Sequence, residues 1–307
     1  MSKAVVKDIT MHYQAKGEGS DVVLVHGLTA NMAFWYNTKV YPVLSRSYRS
    51  VAYDLRGHGY SELTPNGYTS RDLAGDLLAL LDHLGIDKPR IIGHSFGGSV
   101  ALHFAQLYPD RTSGVILCDT GFAALRHLRR IKEWSGWETW KEELPKYGIT
   151  YEWFEEADAQ GIKEVLSKTV DIPVQFGMRK GGRRDLPRFH RLLDETSLST
   201  DFRDPAGLND ETLAGISPPV LAMYGENSPF RNVAYYLADT LENCCTYIVP
   251  KLGHFFLLQN ADAFLERIDP FLQNPADYVQ QAKAGRPDAG QPTDEASANG
   301  KSLEARG

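Results

Sequence analysis

Short, almost wholly apolar runs alternate with longer amphipathic ones along the first 120 residues of the chain. Val22–Val25 and Ser50–Tyr53 are bounded by polar residues or glycine, the pattern of strands buried on both faces. From Arg71 to Leu84 the apolar positions Leu73, Leu77, Leu80, Leu81 and Leu84 fall at helical spacing. Thr69 and Asp72 form a capping-box pattern ahead of them, and Gly85 supplies a C-cap. Pro89–Ile92 and Val115–Cys118 read as further strands, with a helix-like stretch, Gly98–Leu107, between them. Such alternation predicts a parallel sheet covered by helices on both faces.

The rhythm breaks after Gly121. Residues 121–215 carry no clear buried-strand run and are rich in Trp, Glu, Lys and Arg within helical stretches. Alternation resumes with Pro219–Tyr224 (strand), Asn232–Leu241 (helix), Thr246–Val249 (strand) and Ala261–Leu272 (helix). The predicted organisation is an α/β core of residues 1–120 and 216–272, interrupted by a helical cap, or lid, at 121–215. From 273 to 307 the composition shifts to Pro, Ala, Asp, Gly, Gln and Ser, which predicts a disordered tail. There is no internal repeat.

Composition narrows the function classes. With 42% hydrophobic and 23% charged residues the chain reads as an ordinary globular protein. A net charge of −6 argues against nucleic acid or an anionic membrane as partner. No apolar run approaches the ~20 residues needed to span a bilayer, and Met1–Thr10 has no apolar core of the kind a secretory signal carries. The three cysteines, Cys118, Cys244 and Cys245, include an adjacent pair and form neither a disulfide framework nor a zinc-binding spacing. The expectation is a cytoplasmic monomer or homodimer that acts on a small molecule.

Within this frame, Gly93-His94-Ser95-Phe96-Gly97 carries the chemistry. A glycine-flanked serine between a strand and a helix is a nucleophile elbow: the glycines allow a tight turn and the serine projects at the carboxyl end of the sheet. Serine needs a base, and His254 follows the last predicted strand in a Gly253-His254 pair, where chain order puts that base. His26-Gly27-Leu28 follows another strand. Its turn lets the backbone N–H of Leu28, together with that of Phe96, face the reaction centre as an oxyanion hole.

With these motifs the chain resembles the α/β-hydrolases that carry a helical cap. The likeness rests on His26-Gly27, the Asp54-Leu55-Arg56-Gly57-His58-Gly59-Tyr60-Ser61 stretch, the elbow and Gly253-His254, in the family's order from about residue 5 to 272. It implies an α/β-hydrolase fold and acyl-transfer hydrolysis without a cofactor or metal. It also implies a structural role for 54–61, which makes His58 a poor rival base. Ser95 excludes the aspartate nucleophile of the related dehalogenases and epoxide hydrolases.

The chain departs from the family at the triad acid. The resemblance places that carboxylate after the strand that follows the cap, but the loop there reads Gly225-Glu226-Asn227-Ser228-Pro229-Phe230, with Ser228 or Pro229 at the acid's position. Asp119, directly after the strand ending at Cys118, is one candidate, since some α/β-hydrolases place the acid there; Glu226 is a second, and the third reading is that the chain has no triad acid, as in a degenerate enzyme or ligand sensor. An apolar pocket for an acyl or aromatic substrate is expected from Trp134, Trp137, Trp140 and Trp153 with Tyr147, Tyr151 and Phe154 in the cap. Phe34, Trp35 and Tyr36 on the opposite wall, and His26 and Phe255 near the centre, complete it. Arg179, Lys180, Arg183, Arg184, Arg188 and Arg191 are either solvated loop charge or an anion site at the cap mouth. The expected activity is hydrolysis of an ester, thioester or lactone. The alternatives are carbon–carbon bond hydrolysis or a lyase-type reaction with the same Ser and His, or a ligand receptor that does not turn over.

Overall fold

The computed structural model describes residues 2–28, 30–130, 132, 137–148 and 186–285. Eight strands form one sheet in the order β1-β2-β4-β3-β5-β6-β7-β8: β1 (Ser2–Val6), β2 (Ile9–Lys16), β3 (Asp21–Val25), β4 (Arg49–Tyr53), β5 (Arg90–His94), β6 (Gly114–Cys118), β7 (Val220–Gly225) and β8 (Cys244–Val249). The pairs β1/β2 and β2/β4 are antiparallel and all others parallel. The central strands alternate their side chains between two apolar layers. Val23, Val25, Ile91, Val115 and Leu117 point into one, and Val22, Leu24, Ile92, Ile116 and Cys118 into the other. This is why the sequence shows them as continuous apolar runs.

Helices α1 (Ala33–Asn37), α2 (Val40–Leu44), α3 (Ser70–Leu84) and α4 (Phe96–Leu107) come from the first half of the chain. The expected capping box is present at α3. The Thr69 side chain accepts from the Asp72 N–H, the Asp72 side chain accepts from the Thr69 N–H, and Gly85 closes the helix at φ 64°. α3, α4 and the helix Arg231–Thr240 contribute to the first apolar layer; α1, α2 and the helix Ala261–Gln273 contribute to the second. Between β6 and β7 the described residues form short helical pieces, among them α5 (Trp137–Glu143), Leu186–Asp194, Leu198–Asp201 and Asp210–Ala214. Leu208 and Leu213 of this stretch join the first layer.

Two features differ from the sequence expectation. The hairpin β1–β2 extends the sheet at its edge, with Ala4, Val6, Ile9 and Met11 buried and Val5 exposed. The expected tail does not begin at 273. Asn274 caps a further helix, Pro275–Lys283, and Pro275, Tyr278 and Val279 are buried against the second layer. Composition averaged over the C-terminus hides this helix, whose signals are an Asn N-cap and a Pro at N1. No helix among the described residues is long and apolar enough to cross a membrane.

β3 pairs with β4 on one side and β5 on the other, so the winding of the chain reverses there. Loops leaving adjacent strands at such a point part and open a crevice at the carboxyl end of the sheet. The turns carrying Gly27 and Ser95 flank that crevice.

Candidate active site

Ser95 sits between β5 and α4 at φ 54°, ψ −124°, a conformation that non-glycine residues rarely adopt. Surrounding structure holds it there: its N–H donates to Cys118 O at 2.9 Å and its carbonyl accepts from the Gly98 N–H at 2.9 Å. The glycines are required by close approach. A Cβ at Gly93 would lie 2.4 Å from Gly97 O, one at Gly97 2.2 Å from Val25 O, and one at Gly98 1.9 Å from Thr120 Oγ1. A Cβ at Gly27 would stand 3.0 Å from that of Ser95, so the turn after β3 lies directly against the serine. Leu28 follows in that turn. Phe96 opens α4, so its N–H is among the first-turn amides that have no acceptor within the helix.

His254 lies in the loop between β8 and the short helix Phe256–Gln259 and is buried. Its Nδ1 meets Asp119 Oδ1 at 2.8 Å. Asp119, wholly buried at the end of β6, also takes a left-handed φ of 50°. Its own N–H donates to Met223 O at 2.8 Å, while Oδ2 accepts from the Gly225 N–H at 2.7 Å and Oδ1 from the Ser228 hydroxyl. The adjoining backbone is pinned as well: Tyr224 Oη donates to Thr120 O at 2.9 Å and Ser99 Oγ to Gly121 O at 3.1 Å. With the carboxylate on Nδ1, the proton sits on that nitrogen and Nε2 is the basic one.

Rings surround the imidazole. His94, Phe230 and Phe255 have centroids 4.9, 5.3 and 4.7 Å from that of His254. His94 Nε2 lies 3.1 Å from His254 O and therefore donates to it, while Phe34 stacks on His94 at 4.6 Å. Burial drives the His94 pKa well below the usual imidazole range, and the neighbouring His254 pushes the same way, so His94 stays neutral beside His254.

The structure brings Ser95, His254, Asp119, Leu28 and Phe96 to one end of the sheet, and it separates other candidates from them. Glu226 is exposed, and its carboxylate accepts from the Lys251 N–H at 2.7 Å, a loop staple rather than a partner of the histidine. His26 is not a pocket residue: it is wholly buried, with Nδ1 donating to Gly27 O at 2.8 Å and Nε2 accepting from the Leu55 N–H at 3.0 Å. It ties the β3 turn to the β4 turn. Trp35 is likewise corrected. It is wholly buried in the second apolar layer, while Phe34 beside it faces His94 and Tyr36 is exposed.

Trp137 is buried and Phe255 packs on His254, whereas Trp134, Tyr151, Trp153 and Phe154 lie outside the described residues, as do the side chains of Trp140 and Tyr147. Of the basic cluster, Arg188 donates to Gly57 O at 3.2 Å and to Ser61 O, and Arg191 pairs with Glu195; the other four lie outside the described residues. The 54–61 stretch is scaffold. Asp54 accepts from the N–H groups of Met32 and Tyr60 at 2.7 and 2.9 Å and contacts His12 Nδ1 at 2.7 Å, and Arg56 grips Asp76 with two bonds of 2.8 Å. His58 is buried and its pKa falls to about 3. Ser228 is the site residue that sequence reasoning passed over. Its signal in the sequence is its place in the β7 loop, at the position expected for an acid.

Comparison with known proteins agrees with this architecture. A family model described as alpha/beta hydrolase fold matches residues 22–166. The soluble epoxide hydrolase of Corynebacterium sp. (strain C12) is 38% identical over 117 residues, which is 38% of this chain and 40% of that protein. The shared segment thus spans about two fifths of that relative. The pimeloyl-[acyl-carrier protein] methyl ester esterase of Aliivibrio fischeri is 27% identical over 274 residues, covering 87% of this chain and 99% of the esterase. Among solved structures, the enol-lactonase from Burkholderia xenovorans LB400 superposes with a TM-score of 0.62 at 24% identity, covering 89% of this chain and all of the lactonase. The chain has the α/β-hydrolase fold.

Proposed function

We propose that the protein is a serine hydrolase that cleaves an ester, thioester or lactone of a small apolar acyl or aromatic substrate. One observation carries the reading: a serine held at a strained elbow lies at the same sheet end as a buried histidine whose Nδ1 is fixed by a buried aspartate. In this mechanism Ser95 Oγ attacks the carbonyl carbon as Nε2 of His254 takes its proton. The negative charge that develops on the carbonyl oxygen is met by the N–H groups of Leu28 and Phe96, and Asp119 stabilises the imidazolium. His254 then returns the proton to the leaving group. Water activated by the same nitrogen releases the acid from Ser95.

The near-full-length likeness to an ester hydrolase supports acyl transfer, and the aromatic groups around His254 support an apolar substrate. The sequence match to the Corynebacterium epoxide hydrolase covers 38% of the chain, and Ser95 occupies the elbow here. A fluorophosphonate probe tests the reading directly. Wild-type protein should label and hydrolyse p-nitrophenyl butyrate, and Ser95→Ala should lose both. Absence of labelling in the folded wild type would refute an activated serine and favour a non-catalytic receptor. Labelling without ester hydrolysis would turn attention to carbon–carbon bond cleavage.

A further inference from the structure

β6 and β7 run parallel with Cys118 opposite Met223, so the loops that leave them emerge side by side. This brings Ser228, from the β7 loop, onto Asp119 at the end of β6. Ser228 is buried, and its hydroxyl donates to Oδ1 of Asp119, the same oxygen that meets Nδ1 of His254. Ser228 Oγ in turn accepts from the Phe230 N–H at 3.0 Å. A serine hydroxyl has one proton to give. With the backbone donor directed at its lone pair, that proton is committed to the carboxylate.

We propose that Ser228 is a positioning residue of the serine hydrolase, a role that rests on the function proposed above, and that it sets both the orientation of Asp119 and the proton affinity of the His254–Asp119 pair. A hydroxyl on Oδ1 stabilises the carboxylate most when the imidazole beside it is neutral, because the pair then carries net negative charge. When the imidazole is protonated, part of that charge is already compensated. Removing the hydroxyl therefore raises the proton affinity of the pair, and activity is lost at a higher pH on the acid side. The other titratable groups facing the pair are His94 from β5, Cys118 from β6 and Tyr224 from β7. Burial lowers the first and raises the other two, so all three stay uncharged across that range.

The experiment is the pH dependence of kcat and KM on p-nitrophenyl butyrate for wild type, Ser228→Ala, Ser228→Val and Ser228→Thr, with thermal midpoints to confirm folding. Losing one hydrogen bond to a charged acceptor should lower kcat about tenfold in the Ala and Val variants. KM should be little changed and the acidic limb should move to higher pH. Thr keeps the hydroxyl and should keep the wild-type limb; Val, its isostere, controls for packing. An active wild type whose Ala and Val variants retain its kcat and acidic limb would overturn the role of Ser228 alone. A wild type that neither labels with fluorophosphonate nor hydrolyses the ester would overturn the serine-hydrolase reading and this role with it.

Discussion

Asp119 combines complete burial, a left-handed backbone and three hydrogen-bond donors on one carboxylate. A charge so placed is tolerated because each donor replaces water that burial removed. Replacing it with asparagine keeps the volume but offers Nδ1 of His254 an amide that can hold the wrong tautomer. Asp119→Asn should therefore lower kcat by on the order of 10⁴-fold, and Glu226→Gln should leave it unchanged; steady-state kinetics showing the reverse would reassign the acid. Ser95 and His254 were readable in the sequence because strand–turn–helix spacing is local. The acid was open between Asp119 and Glu226 because the choice depends on two loops far apart in sequence that meet only across β6 and β7. Trp35 misled for a related reason: three consecutive aromatics on one helical turn must point in different directions, and only Phe34 faces the site.

Among elements, the best-forecast ones were the central strands and α3, whose apolar runs and caps lie within a few residues. The β1–β2 hairpin is weakly marked in the sequence because its core-facing apolar positions are few: Ala4, Val6, Ile9 and Met11. The C-terminal helix Pro275–Lys283 was obscured by polar composition, although Tyr278 and Val279 carry its packing against Phe271 and Leu272. Truncation after Gln273 should expose that surface and cost about 3 kcal/mol or more, measured as a lower urea midpoint. An unchanged midpoint would mean that the helix is dispensable for stability.

For the whole molecule, buried histidines set the acid stability. Burial is the largest cause of the lowered pKa of His26, His58, His94 and His103, with His58 at about 3 and His103 at about 4. A histidine whose folded pKa lies below its unfolded value of 6.5 binds a proton on unfolding when the pH is between the two. Its contribution is fully present above 6.5 and is lost as pH falls toward the folded pKa. Each such group should cost about 1.4 kcal/mol per pH unit once below 6.5. Denaturant unfolding at pH 7 and pH 5 should show a steep loss of stability. Equal stability at the two pH values would show that these rings are protonated without unfolding.

Asp119 is followed at once by Thr120, Gly121 and Phe122, which begin the segment between β6 and β7. All of them are tied to the core, through Tyr224, Ser99 and the first apolar layer. The root of the inserted segment and the seat of Asp119 are thus one continuous stretch of backbone. Grafting that segment between relatives at the strand end would tear out the charge partner of His254. A recombination junction placed after Phe122 would carry the new segment while leaving Ser95, Asp119 and His254 in their native chain.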